Sequence, residues 1–304
     1  MTKGAGRVDE VRWQDYALLD AGGDRGAGSE SDTSVGERLE RWGPYVVRRP
    51  DPLASPWARD NSYKWDDPDA WCKGDAGRNV WDLRSGLPAK WAISRGGLSF
   101  SVGPSGHKQM GLFPEQASNW DWIEQRIRSH KSRVEVLNLF AYTGGATLAA
   151  AASGASVCHV DASRSAIVAA KDNMSLSSLS SSPARFIADD ARKFVAREIR
   201  RGRRYNAIIM DPPSFGRGPK GQTWEIRRDL EPLLEQCATL LDRVPLFVMV
   251  SFHTTGLSAT VLERLLDRHI TRVFGGRVRS RQMALTSLSG KTLPCGVTVT
   301  WEAP

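Results

Sequence analysis

The side chains of this 304-residue chain best suited to chemistry stand at the ends of apolar runs. Asp211-Pro212-Pro213-Ser214-Phe215 follows Ala207-Ile208-Ile209-Met210, so a buried-strand pattern stops at a carboxylate, two prolines and an aromatic ring. Earlier, the run from Val134 to Phe140 leads into Tyr142-Thr143-Gly144-Gly145, where glycine lets the backbone approach a ligand or simply makes a turn. Asp161 follows the next apolar run, sixteen positions after Gly145. A carboxylate there can accept both hydroxyls of a ribose, or cap the following helix, a role Ser163 could fill instead. Asp189-Asp190 closes a third short run. A glycine turn, an acid and a second acid at three successive strand ends suit an adenosine-bearing cofactor. His253, after the fifth run, could take up a proton or contact substrate, or be a hydrogen-bonded structural histidine. Cys72, Cys158, Cys237 and Cys295 are far apart, and no histidine stands at metal-ligand spacing, so a reduced compartment and no metal site are expected.

These residues need elements to position them. From about residue 123 strand and helix patterns alternate: strands near 134–140, 157–160, 184–188, 206–210 and 246–251, helices near 146–152, 163–174, 192–200, 231–241 and 257–269, then β-like runs near 278–285 and 296–301. The alternation predicts an α/β fold, a doubly wound and mostly parallel sheet, with ligands at the carboxyl ends of its strands. Upstream, Trp91, Ile93, Leu98, Phe100 and Val102 alternate about Arg95-Gly96-Gly97, which predicts a β-hairpin. Nine of the eleven tryptophans lie in the first 122 residues, and their large apolar area favours the core of a small β-rich module over base-stacking platforms. The expected division is an N-terminal segment at 1–42 with a mobile polar loop at 21–36, a β-rich module and pre-strand motif at 43–122, and a catalytic domain at 123–304.

A formal charge of +8 permits a polyanionic partner without requiring one. The N-terminal residues lack a long apolar core and carry Asp9, Glu10 and Asp15, unlike a secretory or transit signal, and no later stretch reaches membrane-spanning length. A cytoplasmic protein is expected. Residues 193–228 hold ten Lys/Arg against three acids. Arg200, Arg201, Arg203 and Arg204 precede the fourth strand, at the edge opposite the carboxyl ends. Arg217, Lys220, Arg227 and Arg228, among Gly216, Gly218 and Gly221, follow it and are expected to form a mobile phosphate-contacting lid.

A dinucleotide-dependent dehydrogenase would also explain Asp161, but the turn is not G-x-G-x-x-G and DPPSF has no role in hydride transfer. LNLFAYTGG, VDAS, DDARKF and DPPSF, in this order, resemble a class I S-adenosylmethionine-dependent methyltransferase. More narrowly, SGHKQMGLFPEQASNWDWI at 105–123 is similar to the segment preceding the first Rossmann strand in the bacterial 23S ribosomal RNA methyltransferase family that includes cytosine-C5 enzymes. The resemblance runs from about Gly97 to the last residue. It implies a seven-stranded Rossmann-like sheet, S-adenosylmethionine as cofactor and RNA, ribosomal RNA above all, as partner. By resemblance, Tyr142, Gly144 and Gly145 border the methionine end, Asp161 holds the ribose, Asp190 reads the adenine amine with Asp189 as its rival, and Phe113 and Gln116 close over the cofactor. Pro212 and Pro213 then fix the backbone so that Asp211 and the Pro212 carbonyl present acceptors beside the methyl donor, and Phe215 offers a face to a planar base.

Family members that methylate cytosine C5 carry a cysteine after the fifth strand, where this chain reads Val250-Ser251-Phe252-His253-Thr254-Thr255-Gly256. Cys295 could replace that nucleophile or be a structural thiol. An amine or ring nitrogen is the simpler acceptor. Methylation of a small molecule or a protein, and a cofactor-binding RNA chaperone without turnover, are the competing readings; the acceptor atom and oligomeric state are not written in the sequence.

Overall fold

The computed structural model describes residues 13–23, 36–75, 78–106, 108–218, 221–253 and 257–304. Most of the expected loop at 21–36, Lys220, and 254–256 fall outside them. The chain divides into two compact units, Met1–Glu115 with Ala284–Cys295, and Gln116–Met283 with Gly296–Pro304.

In the first unit β1 (Tyr16–Gly22), β2 (Glu37–Trp42), β3 (Tyr45–Pro50), β4 (Ala70–Asp75) and β5 (Arg78–Leu83) form a sheet in that order, antiparallel except where β3 meets β4. β6 (Trp91–Arg95) and β7 (Leu98–Val102) make the expected hairpin, with Ile93 opposite Phe100 and both fully buried. Trp42 and Trp65 are buried, and the Trp91 indole donates to the Trp42 carbonyl at 2.9 Å, so these rings build core. The expected boundary at 42 falls inside this unit. β1 and β2 are veiled in the sequence by charges that fold inward: Glu40 is fully buried and accepts from Tyr16 Oη at 2.8 Å and Arg49 Nη2 at 3.0 Å. A charge is tolerated there because it is paired and hydrogen-bonded.

The second unit opens with α1 (Ala117–Ser129). There follow β8 (Glu135–Leu139), α2 (Gly145–Ala152), β9 (Ser156–Asp161), α3 (Arg164–Leu176), β10 (Ala184–Ala188), α4 (Ala191–Arg200) and β11 (Ala207–Met210). A small hairpin, β12 (Phe215–Arg217) with β13 (Thr223–Glu225), leads into α5 (Ile226–Leu240), β14 (Phe247–Phe252), α6 (Ala259–Leu266), α7 (Arg272–Phe274), β15 (Arg277–Thr286) and β16 (Thr292–Glu302). β15 and β16 run into 284–295, which belongs to the first unit.

The seven-stranded sheet has the order β10-β9-β8-β11-β14-β16-β15. Its first five strands are parallel and β16 is antiparallel to β14, as the Rossmann-like reading requires. Leu137, Leu139, Val160, Ile208, Met210, Val248 and Val250 are buried, the continuous apolar strands that a sheet covered on both faces demands. From β8 the chain steps outward through β9 and β10, then returns to place β11 on the other side of β8. The order reverses between β8 and β11, where open α/β sheets bind ligands at the carboxyl ends of the strands. α1 belongs to this unit because it packs on α2, so the division falls at 115/116 rather than 122/123.

Candidate active site

Leu139 of β8 pairs with Met210 of β11, so the turn after the first strand and the DPPSF segment leave the sheet side by side. The turn is held in an uncommon shape. Phe140 and Tyr142 have φ of 54° and 48°, and Gly144, at 94°, caps α2. Two non-glycine residues in the left-handed region cost free energy and persist only where their surroundings impose them. Here Ala141 N donates to the Val160 carbonyl at 3.1 Å, Tyr142 N to Asp161 Oδ2 at 2.8 Å, and buried Asn173 of α3 to the Thr143 carbonyl at 2.9 Å. Gly145 is required by packing: a Cβ there would collide with the indole of Trp120 on α1.

Asp161 therefore braces the turn. Its Oδ1 also accepts from Ser163 N at 2.8 Å, while Ser163 itself caps α3 through Ala166 N. Burial pushes the Asp161 carboxyl above its usual range, with the Ser163 and Tyr142 N–H groups pulling the other way. Each oxygen keeps a second lone pair for a ribose hydroxyl. Beneath the turn lies a buried polar chain absent from the expectations. Asn138 Nδ2 donates to Thr147 Oγ1 at 2.9 Å, and that hydroxyl lies 2.9 Å from Nδ1 of fully buried His159.

The third strand end is more committed than expected. Asp190 caps α4 through Lys193 N at 3.1 Å and pairs with Arg192 at 3.2 Å. Asp189 accepts from Asp190 N at 2.9 Å and forms an ion pair with Arg197.

At the fourth strand end, Asp211 Oδ2 accepts from Gln116 Nε2 at 2.9 Å, while its Oδ1 is buried without a hydrogen-bond partner among the described residues and lies 3.7 Å from His253 Nε2. Gln116 also donates to Ser251 Oγ of β14 at 3.0 Å. The structure thus gathers Gln116, Asp211, Ser251 and His253, of which the sequence had singled out all but Ser251. Phe113 lies in the first unit. Pro212 is buried and Pro213 exposed, and Phe215 is 55% exposed.

The expected lid takes a different form. Trp224 Nε1 donates to the Pro213 carbonyl at 2.6 Å, and Arg192 and Arg228 both bond the Thr223 carbonyl at 3.0 Å, so the β12–β13 hairpin is fastened both before its first strand and beside its turn. Arg227 and Arg228 sit in the first turn of α5, and Arg228 is paired with Asp229 at 2.7 Å. Arg217 lies over the Phe215 ring at 5.9 Å. Arg201 and Arg203 surround buried Glu198 at the opposite edge. All four cysteines are buried; burial pushes the Cys158 thiol up to about 11 and raises those of Cys237 and Cys295 further. Among the described residues no three His, Cys, Asp or Glu side chains converge as a metal would require, and no helix is long and apolar enough to cross a membrane.

Residues 70–246 match the S-adenosylmethionine-dependent methyltransferase family. The chain belongs to this family. It is 31% identical over 176 residues to ribosomal RNA large subunit methyltransferase I of Enterobacter sp. (strain 638), a match covering 58% of this chain and 43% of that protein. It is likewise 31% identical over 173 residues to ribosomal RNA large subunit methyltransferase K/L of Magnetococcus marinus, covering 56% and 23%. The chain thus spans less than half the length of these curated relatives. The crystal structure of an S-adenosylmethionine-dependent methyltransferase from Agrobacterium tumefaciens superposes with a TM-score of 0.85 at 34% identity, covering 99% of this chain and 92% of that one. S-adenosylmethionine is accordingly the cofactor of this methyltransferase. The strand ends fit it: a turn strained into shape and a carboxylate with lone pairs to spare.

Proposed function

We propose that this protein methylates a base nitrogen in ribosomal RNA of the large subunit, in the cytoplasm, and that the strand ends described above form its transfer site. The observation that carries the acceptor assignment is Asp211 Oδ1, buried, without a hydrogen-bond partner among the described residues, and flanked by His253. A buried carboxylate oxygen left unpaired is costly, and the N–H of an exocyclic amine or protonated ring nitrogen satisfies it. When bound, S-adenosylmethionine supplies an activated methyl group on its sulfonium. Asp211 and the Pro212 carbonyl would orient the amine lone pair toward the bound methyl donor. The proton then lost from nitrogen passes to Asp211 or His253. Phe215 supports the base by stacking.

In this reading Tyr142, Gly144 and Gly145 border the methionine end, Asp161 holds the ribose, Asp190 or Asp189 faces the adenine, and Gln116 closes the site. The curated relatives, named as ribosomal RNA large subunit methyltransferases, favour the RNA substrate. The buried thiols favour nitrogen over carbon, since addition to cytosine C6 needs a thiolate and burial disfavours one at every cysteine. Mass spectrometry of ribosomal RNA nucleosides from cells with and without the gene tests this: loss of one N-methylated base is expected. Loss of 5-methylcytidine, with an adduct trapped on 5-fluorocytosine RNA, would refute the nitrogen assignment.

A further inference from the structure

An arginine side chain has N–H donors and no acceptor, whereas a primary amide has a donor end and an acceptor end. Arg281 of β15 donates through Nη2 to Oδ1 of Asn119 on α1, and Thr298 Oγ1 of β16 donates to the same oxygen at 3.0 Å. The Asn119 amide can satisfy both only with its carbonyl turned to them. Its Nδ2 is thereby turned to Gln116 Oε1 at 2.5 Å, with Met283 Sδ at 3.3 Å. The Gln116 amide inherits this polarity and directs its own Nε2 to Asp211 Oδ2 and Ser251 Oγ. Asn119 is 1% exposed, Thr298 fully buried and Gln116 9% exposed, so water offers little alternative.

We propose that Arg281 and Asn119 are positioning residues of the transfer site, which fix the polarity of the Gln116 amide so that it presents N–H to Asp211. One oxygen of Asp211 is then held by a donor, and the other is left for the substrate. With the amide reversed, Gln116 Oε1 would face the carboxylate, acceptor against acceptor, and Asp211 would turn away. The functional half of this inference rests on the role proposed for Asp211; the polarity itself does not.

His253 reports the polarity, because its Nε2 lies 3.4 Å from Gln116 Nε2. An N–H group at that distance opposes protonation of the ring, and a carbonyl oxygen favours it. Asn119→Asp keeps acceptors for Arg281 and Thr298 but offers only an acceptor to Gln116, which must reverse. The experiment is a double-mutant cycle on the full chain, ring-labelled at histidine and titrated by NMR without RNA or cofactor. N119D is expected to raise the midpoint of the His253 titration by about half a pH unit more when Gln116 is present than in a Q116L background, where only the added charge acts. Equal shifts in the two backgrounds overturn the proposal. Should N119D fail to fold, uncharged N119L in the same cycle is expected to raise the midpoint only when Gln116 is present, and no shift overturns it.

The positioning role is read from turnover. Arg281→Met is expected to lower kcat tenfold or more with cofactor affinity unchanged, and Arg281→Lys, which keeps a donor, to restore most of it. Wild-type kcat in R281M overturns the role even where the titration confirms the polarity. Absence of methyl transfer in the wild-type protein defeats the reading of Asp211 and leaves the amide polarity standing.

Discussion

Lowering the pH should act on the methyltransferase unit through His159. The imidazole is fully buried beneath the strained turn, bonded at Nδ1 to Thr147, and burial lowers its pKa from 6.5 to about 4, with the Tyr142 backbone opposing only in part. The unfolded chain therefore binds a proton at this site where the folded chain does not, and stability falls as pH drops through the window from 6.5 to about 4. At pH 5 the unfolded state is favoured about thirtyfold by this group alone, a loss of about 2 kcal/mol relative to pH 7.5. Urea unfolding followed by far-ultraviolet circular dichroism at pH 7.5 and 5.0 measures it, with His159→Gln as the variant that cannot take up the proton. Other groups titrate alike in both proteins, so the wild type should lose about 2 kcal/mol more than the variant. Equal losses would show that His159 is not held neutral, and would refute the burial argument.

Asp161→Ala should weaken S-adenosylmethionine binding by about 1–3 kcal/mol in calorimetry, and unchanged affinity would remove Asp161 from the ribose site. Gly145→Ala should lower stability by about 1–3 kcal/mol in thermal melts, because the Trp120 indole occupies the space of a Cβ. Arg217→Ala with Arg227→Ala should lower RNA affinity and flatten its salt dependence by about 0.7–0.9 for each phosphate no longer neutralised, while Arg201→Ala with Arg203→Ala should leave both nearly unchanged; the reverse pattern would place RNA at the other edge of the sheet.

The parallel strands were legible because each is a short apolar run closed by a polar residue, and Asp161 and Asp211 stood out because they end such runs. β1 and β2 were not legible: ERLERW reads as surface until Tyr16 and Arg49 are seen to satisfy Glu40 from the strands on either side. The start of α5 was hidden by Pro232 and by the charges between Ile226 and Leu230, where in the fold Asp229 accepts from Glu225 N and pairs with Arg228. The pairing within the expected lid was not legible, because counting arginines does not reveal their partners, and Asp229 claims Arg228. Arg281 and Asn119 lie 162 positions apart, and nothing in local sequence joins them. His159 read only as part of a strand, since its role depends on where α2 sets Thr147.

The most direct test of the central claim is transfer of labelled methyl from S-adenosylmethionine to large-subunit ribosomal RNA isolated from cells lacking the gene. The wild-type protein should label one base at nitrogen, and Asp211→Ala should reduce turnover by two orders of magnitude or more, about 3 kcal/mol of transition-state stabilisation, while binding S-adenosylmethionine nearly as tightly. Wild-type turnover in that variant, or label confined to a ring carbon, would contradict the account.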